Sequence, residues 1–445
     1  MSRWLRVTIL PIVFVASSAF AANLDLTPLH RGLQFNFGNP GARSLGMGGA
    51  FIGRADDASA AEANPAGLTV ITKPEVTIEL RQLDFSQDVP FGVQGSPSTG
   101  VQRVSNTHTT PSILFVVPAG NLAFAGYYTR PLDYQQQTSL DNPSGAVATI
   151  GASKIFFGDA PGNFSLRYRA EVFGLAGAWR IGGLSVGLGA RYFRLKPAAS
   201  FADFDVTVGA GGVPVKSSAQ PTTFGRIEGS DSKVSYSVGL KWANPSENLS
   251  VGLVYKAGAD YSVTECNPST ATERCSPANG ASPSSFEIPT QIGAGISIRP
   301  MPGVTINGDI VRVQYDRLLR DFTPGAFCAL GVCEQGSQLG FHIDNATEIH
   351  IGGEWAFPSA KVPFALRAGW WHDPSHSLEY RGATTSADPL VKLAQLYSAQ
   401  SFPSESDQNH IAVGVGYFTS SFEINAAYDH SSRTKTASLS ALKRF

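Results

Sequence analysis

The densest group of chemistry-bearing side chains in the chain is Trp370-Trp371-His372-Asp373, with His376 three residues on. Two imidazoles and a carboxylate this close could hold a divalent metal or supply a base for hydrolysis. Their spacing matches neither the Ser/His/Asn set of barrel phospholipases nor the Asp/His set of barrel proteases. An interfacial tryptophan beside the start of a polar loop is the simpler reading, and neither a catalytic residue, a metal nor a cofactor is expected. Arg167, Arg169 and Glu171 alternate along one segment, and Arg191 lies on the next. An arginine there could clamp a carboxylate through two parallel hydrogen bonds; the alternative is a set of mutually neutralising charges facing water. Four cysteines fall in two close pairs, Cys266 with Cys275 and Cys328 with Cys333. They read as two loop disulfides of an oxidising compartment, since no Cys-x-x-Cys or histidine spacing supports zinc. The glycines of Gly46-Met47-Gly48-Gly49-Ala50-Phe51 miss a dinucleotide fingerprint, because Phe51 takes the last glycine's place and no strand precedes them.

The elements that must carry these residues are strands. Period-two alternation recurs from about residue 74 onward. Ile411, Val413, Val415 and Tyr417 alternate with His410, Ala412, Gly414 and Gly416; Phe422, Ile424, Ala426 and Tyr428 alternate with Glu423, Asn425, Ala427 and Asp429. Phe164, Leu166, Tyr168, Ala170 and Val172 interleave with Ser165, Arg167, Arg169 and Glu171. Neighbouring side chains on a strand point to opposite faces, so each segment has one apolar and one polar face. Arg167, Arg169, Glu171 and Arg191 would then share a polar lumen. Short turns near 118–121, 181–183, 244–248, 299–303, 358–361 and 419–421 trade places with long polar stretches at about 86–106, 131–163, 197–230, 262–284, 318–342 and 374–406. That rhythm suits a membrane barrel with short periplasmic turns and long outer loops. The count is about fourteen strands, and Phe445 closes the last one as a terminal aromatic. A soluble sandwich or β-helix would also alternate, but the chain has neither linkers nor an internal repeat.

Composition agrees. Charged residues make up 16% of the chain, against about 25% in ordinary globular domains. The net charge of -1 gives no general pull on nucleic acid. Arg3 and Arg6, the apolar run Val7–Ala16 and Ala19-Phe20-Ala21 form an export signal, so residues 1–21 are expected to be removed. No later apolar run reaches the roughly 20 residues a membrane helix needs. The fold expected is therefore all-β: a transmembrane antiparallel barrel over residues 73–445, in the outer membrane and in contact with its lipid. Residues 22–72 do not alternate. Their Ala-rich run, with Asp56 and Asp57 near its start, suits a short helix ended by Pro65. Placed in the lumen, they would form an N-terminal hatch.

In order and spacing, Gly46–Gly53, Ala55-Asp56-Asp57-Ala58, Asn64-Pro65-Ala66, Thr110–Pro118, Ile288-Pro289, Leu366–Asp373 and Asp407–His410 before Gly414 and Gly416 resemble the FadL-type outer-membrane transporters. The resemblance implies a fourteen-stranded barrel with a hatch, moving hydrophobic small molecules (fatty acids or hydrocarbons), long-chain fatty acids foremost. It implies sideways exit through a gap where the third strand bends inward, with Asn64, Pro65 and Ala66 beside that strand and Gly126 as the bending point. Arg167, Arg169 and Arg191 are the candidate contacts for a fatty-acid carboxylate. A monomer is one expectation. The Gly41–Ala50 run also resembles a branch of the same superfamily that serves protein secretion, which would make the chain a binding platform for exported proteins.

Overall fold

A computed structural model describes residues 38–445, apart from 97–98, 151–152, 319–323, 325–326, 328–329, 331 and 333. The expected export signal, residues 22–37 of the expected hatch, and the Cys328–Cys333 pair lie outside the described residues. The wall has fourteen strands. They are β1 (Glu75–Phe91), β2 (Gly100–Ala119), β3 (Leu122–Leu140), β4 (Gly162–Ile181) and β5 (Leu184–Asp203). Then come β6 (Thr223–Glu228 and Asp231–Ala243), β7 (Leu249–Lys256 and Ala259–Cys266) and β8 (Ser282–Ile288 and Gln291–Met301). The round is completed by β9 (Val304–Val313), β10 (Ala346–Phe357), β11 (Phe364–Asp373), β12 (Gln408–Phe418), β13 (Phe422–His430) and β14 (Thr434–Arg444). Each pairs antiparallel with the next, and β14 returns to β1, Arg444 opposite Glu75 and Thr434 opposite Phe85. Closure pairs the backbone groups that would otherwise be stranded in lipid.

The wall is inside-out relative to a soluble protein. On β1, Val76, Ile78 and Leu80 are exposed while Glu75, Thr77 and Glu79 are buried. Ile411, Val413 and Val415 on β12 are exposed likewise, with His410 and Ala412 buried between them. Trp179, Trp242, Trp355 and Tyr417 ring this apolar band near the short turns; Tyr192, Tyr236, Trp370 and Tyr428 ring it toward the long loops. An apolar outer belt flanked by aromatic girdles is what a bilayer selects.

Beyond the band the wall continues, and two expectations need correcting. Composition predicts loops over 86–106, 131–163, 197–230 and 262–284, yet β1 to β8 extend through much of them. There the outer face meets water rather than lipid, so the membrane pattern stops while the hydrogen-bonded ladder does not. The stretch 374–406 also contains a helix, α3 (Pro389–Ser401), started by Asp388, whose side chain accepts from Leu390 N and Val391 N. Tyr397, Phe402, Phe341 and Tyr380 pack with it as a small second core among the outer loops. Cys266 and Cys275 form the expected disulfide across the β7–β8 loop.

The described part of the hatch, residues 38–72, contains α1 (Ala42–Gly46), α2 (Ala60–Ala63) and a 3-10 turn (Pro65–Val70). As the sequence indicates, α2 stops where Asn64 turns extended ahead of Pro65. Asn64 then caps the next turn, accepting from Ala66 N and donating to Ile52 O and Leu240 O. Charged side chains tie the hatch to the wall. Arg43 makes a two-pronged pair with Glu354 at 2.8 and 2.9 Å. Asp309 accepts from Phe51 N and Ile52 N at 2.6 and 2.7 Å. Glu62 accepts from Tyr127 Oη at 2.6 Å and pairs with Arg191 at 3.3 Å and Lys256 at 3.4 Å.

Contact is close enough to demand glycine in the wall. A Cβ on Gly187 would lie 2.3 Å from Ala66 N, and one on Gly369 2.2 Å from Gly48 N. Asn64, Pro65 and Ala66 therefore lie closest to Gly187 of β5 and Gly239 of β6, and the turn they open also touches the third strand, on the side the resemblance implied.

Burial pushes the Glu62 carboxyl up, but Arg191, Lys256 and Tyr127 outweigh it and hold it below the usual glutamate value. A depressed carboxyl stabilises fully above its unfolded pKa, about 4.3, and loses that contribution as acid carries the pH through the lower folded value. The difference in hatch protease protection between the parent and Glu62→Gln should thus be flat from neutral pH down to about 5 and shrink only below about 4; a difference that fades near neutrality would contradict this anchor. Glu62→Ala leaves two buried cations unpaired and should cost about 3–5 kcal/mol, read as denaturant-induced hatch release. Gly187→Val should dislodge Pro65–Ala66 and raise ion conductance in planar bilayers, where unchanged conductance would show that the contact does not hold the hatch.

Candidate functional site

Among the described residues, the wall has a seam between β2 and β3. β2 and β3 pair only from Ser112 opposite Thr129 to Ala119 opposite Leu122. Above that, Gly100–Pro111 pair with β1, and Leu132–Leu140 pair with β4, but no pairing joins the two across the seam among the described residues. The reason lies in β3. Thr129 faces Val172 and Leu132 faces Ala170, so β3 spends one more residue than β4 over this step. Pro131 sits in the bulge and has no N–H to give a ladder. The extra residue also flips the strand: Ala123, Ala125, Tyr127 and Thr129 are buried below it, Leu132, Tyr134, Gln136 and Thr138 above it. The bend expected at Gly126 is thus corrected to Arg130–Pro131. Pairing runs unbroken through Gly126, whose missing side chain leaves room for the Phe115 ring.

Behind this slot lies a cavity of about 170 Å³. Ser44 and Gly48 of the hatch floor it, His108 and Ser112 of β2 and Leu132 and Tyr134 of β3 bring it to both edges of the slot. Phe85 and Leu83 supply apolar surface; Trp371, His350, His410 and Asp429 form the wall opposite. That wall is tightly organised. Asp429 accepts from Trp371 Nε1 at 3.0 Å and from His410 Nδ1 at 2.8 Å. The Trp371 ring stacks on His410 at 3.8 Å and on His350 at 5.2 Å. Three arginines reach the cavity, each already paired: Arg81 with Glu79 at 2.9 Å, Arg130 with Asp133 at 3.3 Å, and Arg433 with Glu405.

The residues singled out from sequence are distributed differently from expectation. Arg167 and Arg169 do not enter the lumen. They lie on the outer face of β4, both 3.2 Å from Asp133, while Phe164, Leu166, Tyr168, Ala170 and Val172 turn inward and are buried. Above the membrane a wall strand behaves like a soluble one, apolar in and charged out, which reverses the facing assumed for it. Arg191 does face the lumen, but its partner is Glu62 of the hatch. The Trp370–His376 cluster is split: Trp370 faces outward, Trp371 enters the cavity, and His376 is buried 3.3 Å from Asp373 and stacked on Tyr315. Among the described residues no set of His, Cys, Asp and Glu converges on a metal position. Gly183-Leu184-Ser185-Val186-Gly187 spells Gly-x-Ser-x-Gly, but Ser185 lies on β5 with its hydroxyl 2.7 Å from Thr69 Oγ1 of the hatch.

His350, His410 and Asp429 were passed over in the sequence. Strand parity was the available signal. His410 and Asp429 are the polar members of two alternating segments joined by a short turn, and the hairpin sets Asp429 opposite Ala412, next but one to His410. The bulge had a signal too, since a proline inside a strand marks an edge or a bulge.

A family model described as outer membrane protein transport protein (OMPP1/FadL/TodX) matches residues 35–378. No curated protein sequence matches the chain significantly. Among solved structures, a FadL homologue from Pseudomonas aeruginosa aligns with a TM-score of 0.62 at 14% identity, over 94% of this chain and 99% of that one. The monoaromatic hydrocarbon channel CymD aligns at 0.56 and 15% identity, over 93% and 99%. The toluene transporter TbuX of Ralstonia pickettii aligns at 0.55 and 14% identity, over 92% and 99%. At such identities the likeness is one of fold: a closed, hatched barrel. With the matched segment spanning well over half its length, the chain belongs to the OMPP1/FadL/TodX family of outer-membrane transport proteins for hydrophobic compounds.

Proposed function

We propose that this protein takes up small hydrophobic compounds passively: a solute enters from the long-loop end, rests in the cavity and leaves sideways through the slot between β2 and β3. The observation that carries this reading is the continuity of the cavity, whose lining runs from the hatch to both edges of the slot. The hatch fills the lumen beneath, so the low-resistance way out is lateral. Burial supplies the driving term, roughly 0.8 kcal/mol per methylene withdrawn from water. The slot starts just above Tyr128 and Phe173, whose rings lie 5.1 Å apart on adjacent strands, and level with the charges of Arg130 and Glu171. Release there delivers the solute at the boundary between headgroups and acyl chains. No covalent step and no energy source is needed.

A long-chain fatty acid is the substrate foremost in the sequence reading. The cavity favours a smaller guest, because a hole of about 150 Å³ holds one benzene and this one is about 170 Å³. A carboxylate would also have to break existing pairs to engage Arg81, Arg130 or Arg433. The proteins named a toluene transporter and a monoaromatic channel share the fold, which supports a one-ring solute. The secretion-platform alternative assigns the cavity and slot no task.

Deleting Pro131 tests the route. It removes the extra residue while keeping Leu132, Tyr134 and Gln136 facing inward, so β3 can resume pairing with β2. Uptake of labelled toluene should drop to the level of cells lacking the protein, with the heat-modifiable migration of a folded barrel retained. Uptake at the parental rate by such a folded variant would exclude the slot as the exit.

A further inference from the structure

Three buried polar atoms on the cavity wall have no hydrogen-bond partner: Ser44 Oγ in the hatch, His108 Nδ1 on β2 and His410 Nε2 on β12. Ser44 and His410 are each only 1% exposed. Buried polar atoms are normally satisfied, and one left open in a cavity marks where a ligand or water completes it. Ser44 and His410 are also not bonded to each other, so the serine is not activated as a nucleophile.

His410 is held in one orientation. Asp429, a carboxylate, only accepts, and it lies 2.8 Å from Nδ1. Nδ1 therefore donates to Asp429, and Nε2 is left as the unmatched polar atom of the ring. Stacking on Trp371 at 3.8 Å, itself bonded to Asp429, fixes the ring plane. The lining thus offers an unmatched ring nitrogen, an unmatched hydroxyl and a flat aromatic surface. Such a site calls for a ligand with a hydroxyl to pair with Nε2 and a flat apolar body. Plain hydrocarbons leave Nε2 unmatched. A carboxylate would find the arginines on the lining already engaged.

We propose that the cavity is a recognition site for a neutral, single-ring phenol or aromatic alcohol, whose hydroxyl hydrogen-bonds to His410 Nε2. This rests on the transport reading and narrows it from apolar solutes in general to hydroxylated ones. The ring fills the space between Trp371 and the Phe85–Leu132 side. Ser44 Oγ and His108 Nδ1 are the remaining polar groups for the ligand oxygen.

The comparison that tests it is p-cresol against toluene, which differ by one hydroxyl, titrated calorimetrically into the detergent-purified full-length protein. The cresol should bind about tenfold tighter. His410→Phe should abolish that preference, read as the ratio of the two affinities. Ser44→Ala provides a second variant, because it removes another unmatched polar atom of the lining; it too should shrink the preference. Equal affinities in the parent, a preference that survives both variants, or tighter binding of benzoate than of cresol at neutral pH would each overturn the proposal. Toluene uptake is followed alongside. If toluene binds and crosses without any gain from the hydroxyl, the recognition site alone is wrong. If neither compound binds or crosses, the transport reading falls with it.

Discussion

Every peptide group that faces lipid must find its partner inside the wall, because hydrocarbon offers none. The rest of the molecule follows from that constraint. It forces closure of β14 on β1 and makes any opening in the wall costly at membrane depth. The seam left unpaired between β2 and β3 begins at Ser112 and Thr129, at the upper border of the apolar belt, where water and headgroups can satisfy what the ladder leaves open. A gap one girdle lower would strand amides in oil.

The same constraint explains why polarity reverses along a single strand. On β4, Phe173 and Leu175 are exposed where the strand meets lipid, whereas Phe164, Leu166 and Tyr168 are buried where it stands in water. Inside, the hatch replaces the hydrophobic core a small barrel would have. It is held by charge pairs such as Arg43–Glu354 and Glu62–Arg191 and by backbone-to-backbone approach across glycines. Buried ionic anchors of this kind contribute little net stability but make detachment specific and costly once one partner is lost.

Sequence alone revealed the architecture well and the site poorly. Alternation, the short-turn rhythm and the run through Asn64-Pro65-Ala66 were enough for a hatched barrel of about fourteen strands. They stated nothing about register, and the site depends on register. A bulge of one residue at Arg130–Pro131 decides which side chains of β3 face inward, and pairing between distant strands brings Ser44, His108 and His410 around one space. Arg167 and Arg169 were misplaced because a polar face was equated with the lumen, a rule that holds only within the bilayer. The helix Pro389–Ser401 was hidden in a stretch whose Pro, Ser and Asp content looked like loop.

The bulge in β3 has an evolutionary corollary. Inserting one residue into a strand paired on both sides would scramble two ladders and turn half the strand inside out. Above Thr129, β3 has a neighbour on one side only, so a single ladder absorbs the change. A change of length therefore disturbs less of the wall at this spot than in a strand paired on both sides. Descendants of such a gene can reshape their guest's doorway by gaining or losing single codons there, with the remaining staves untouched.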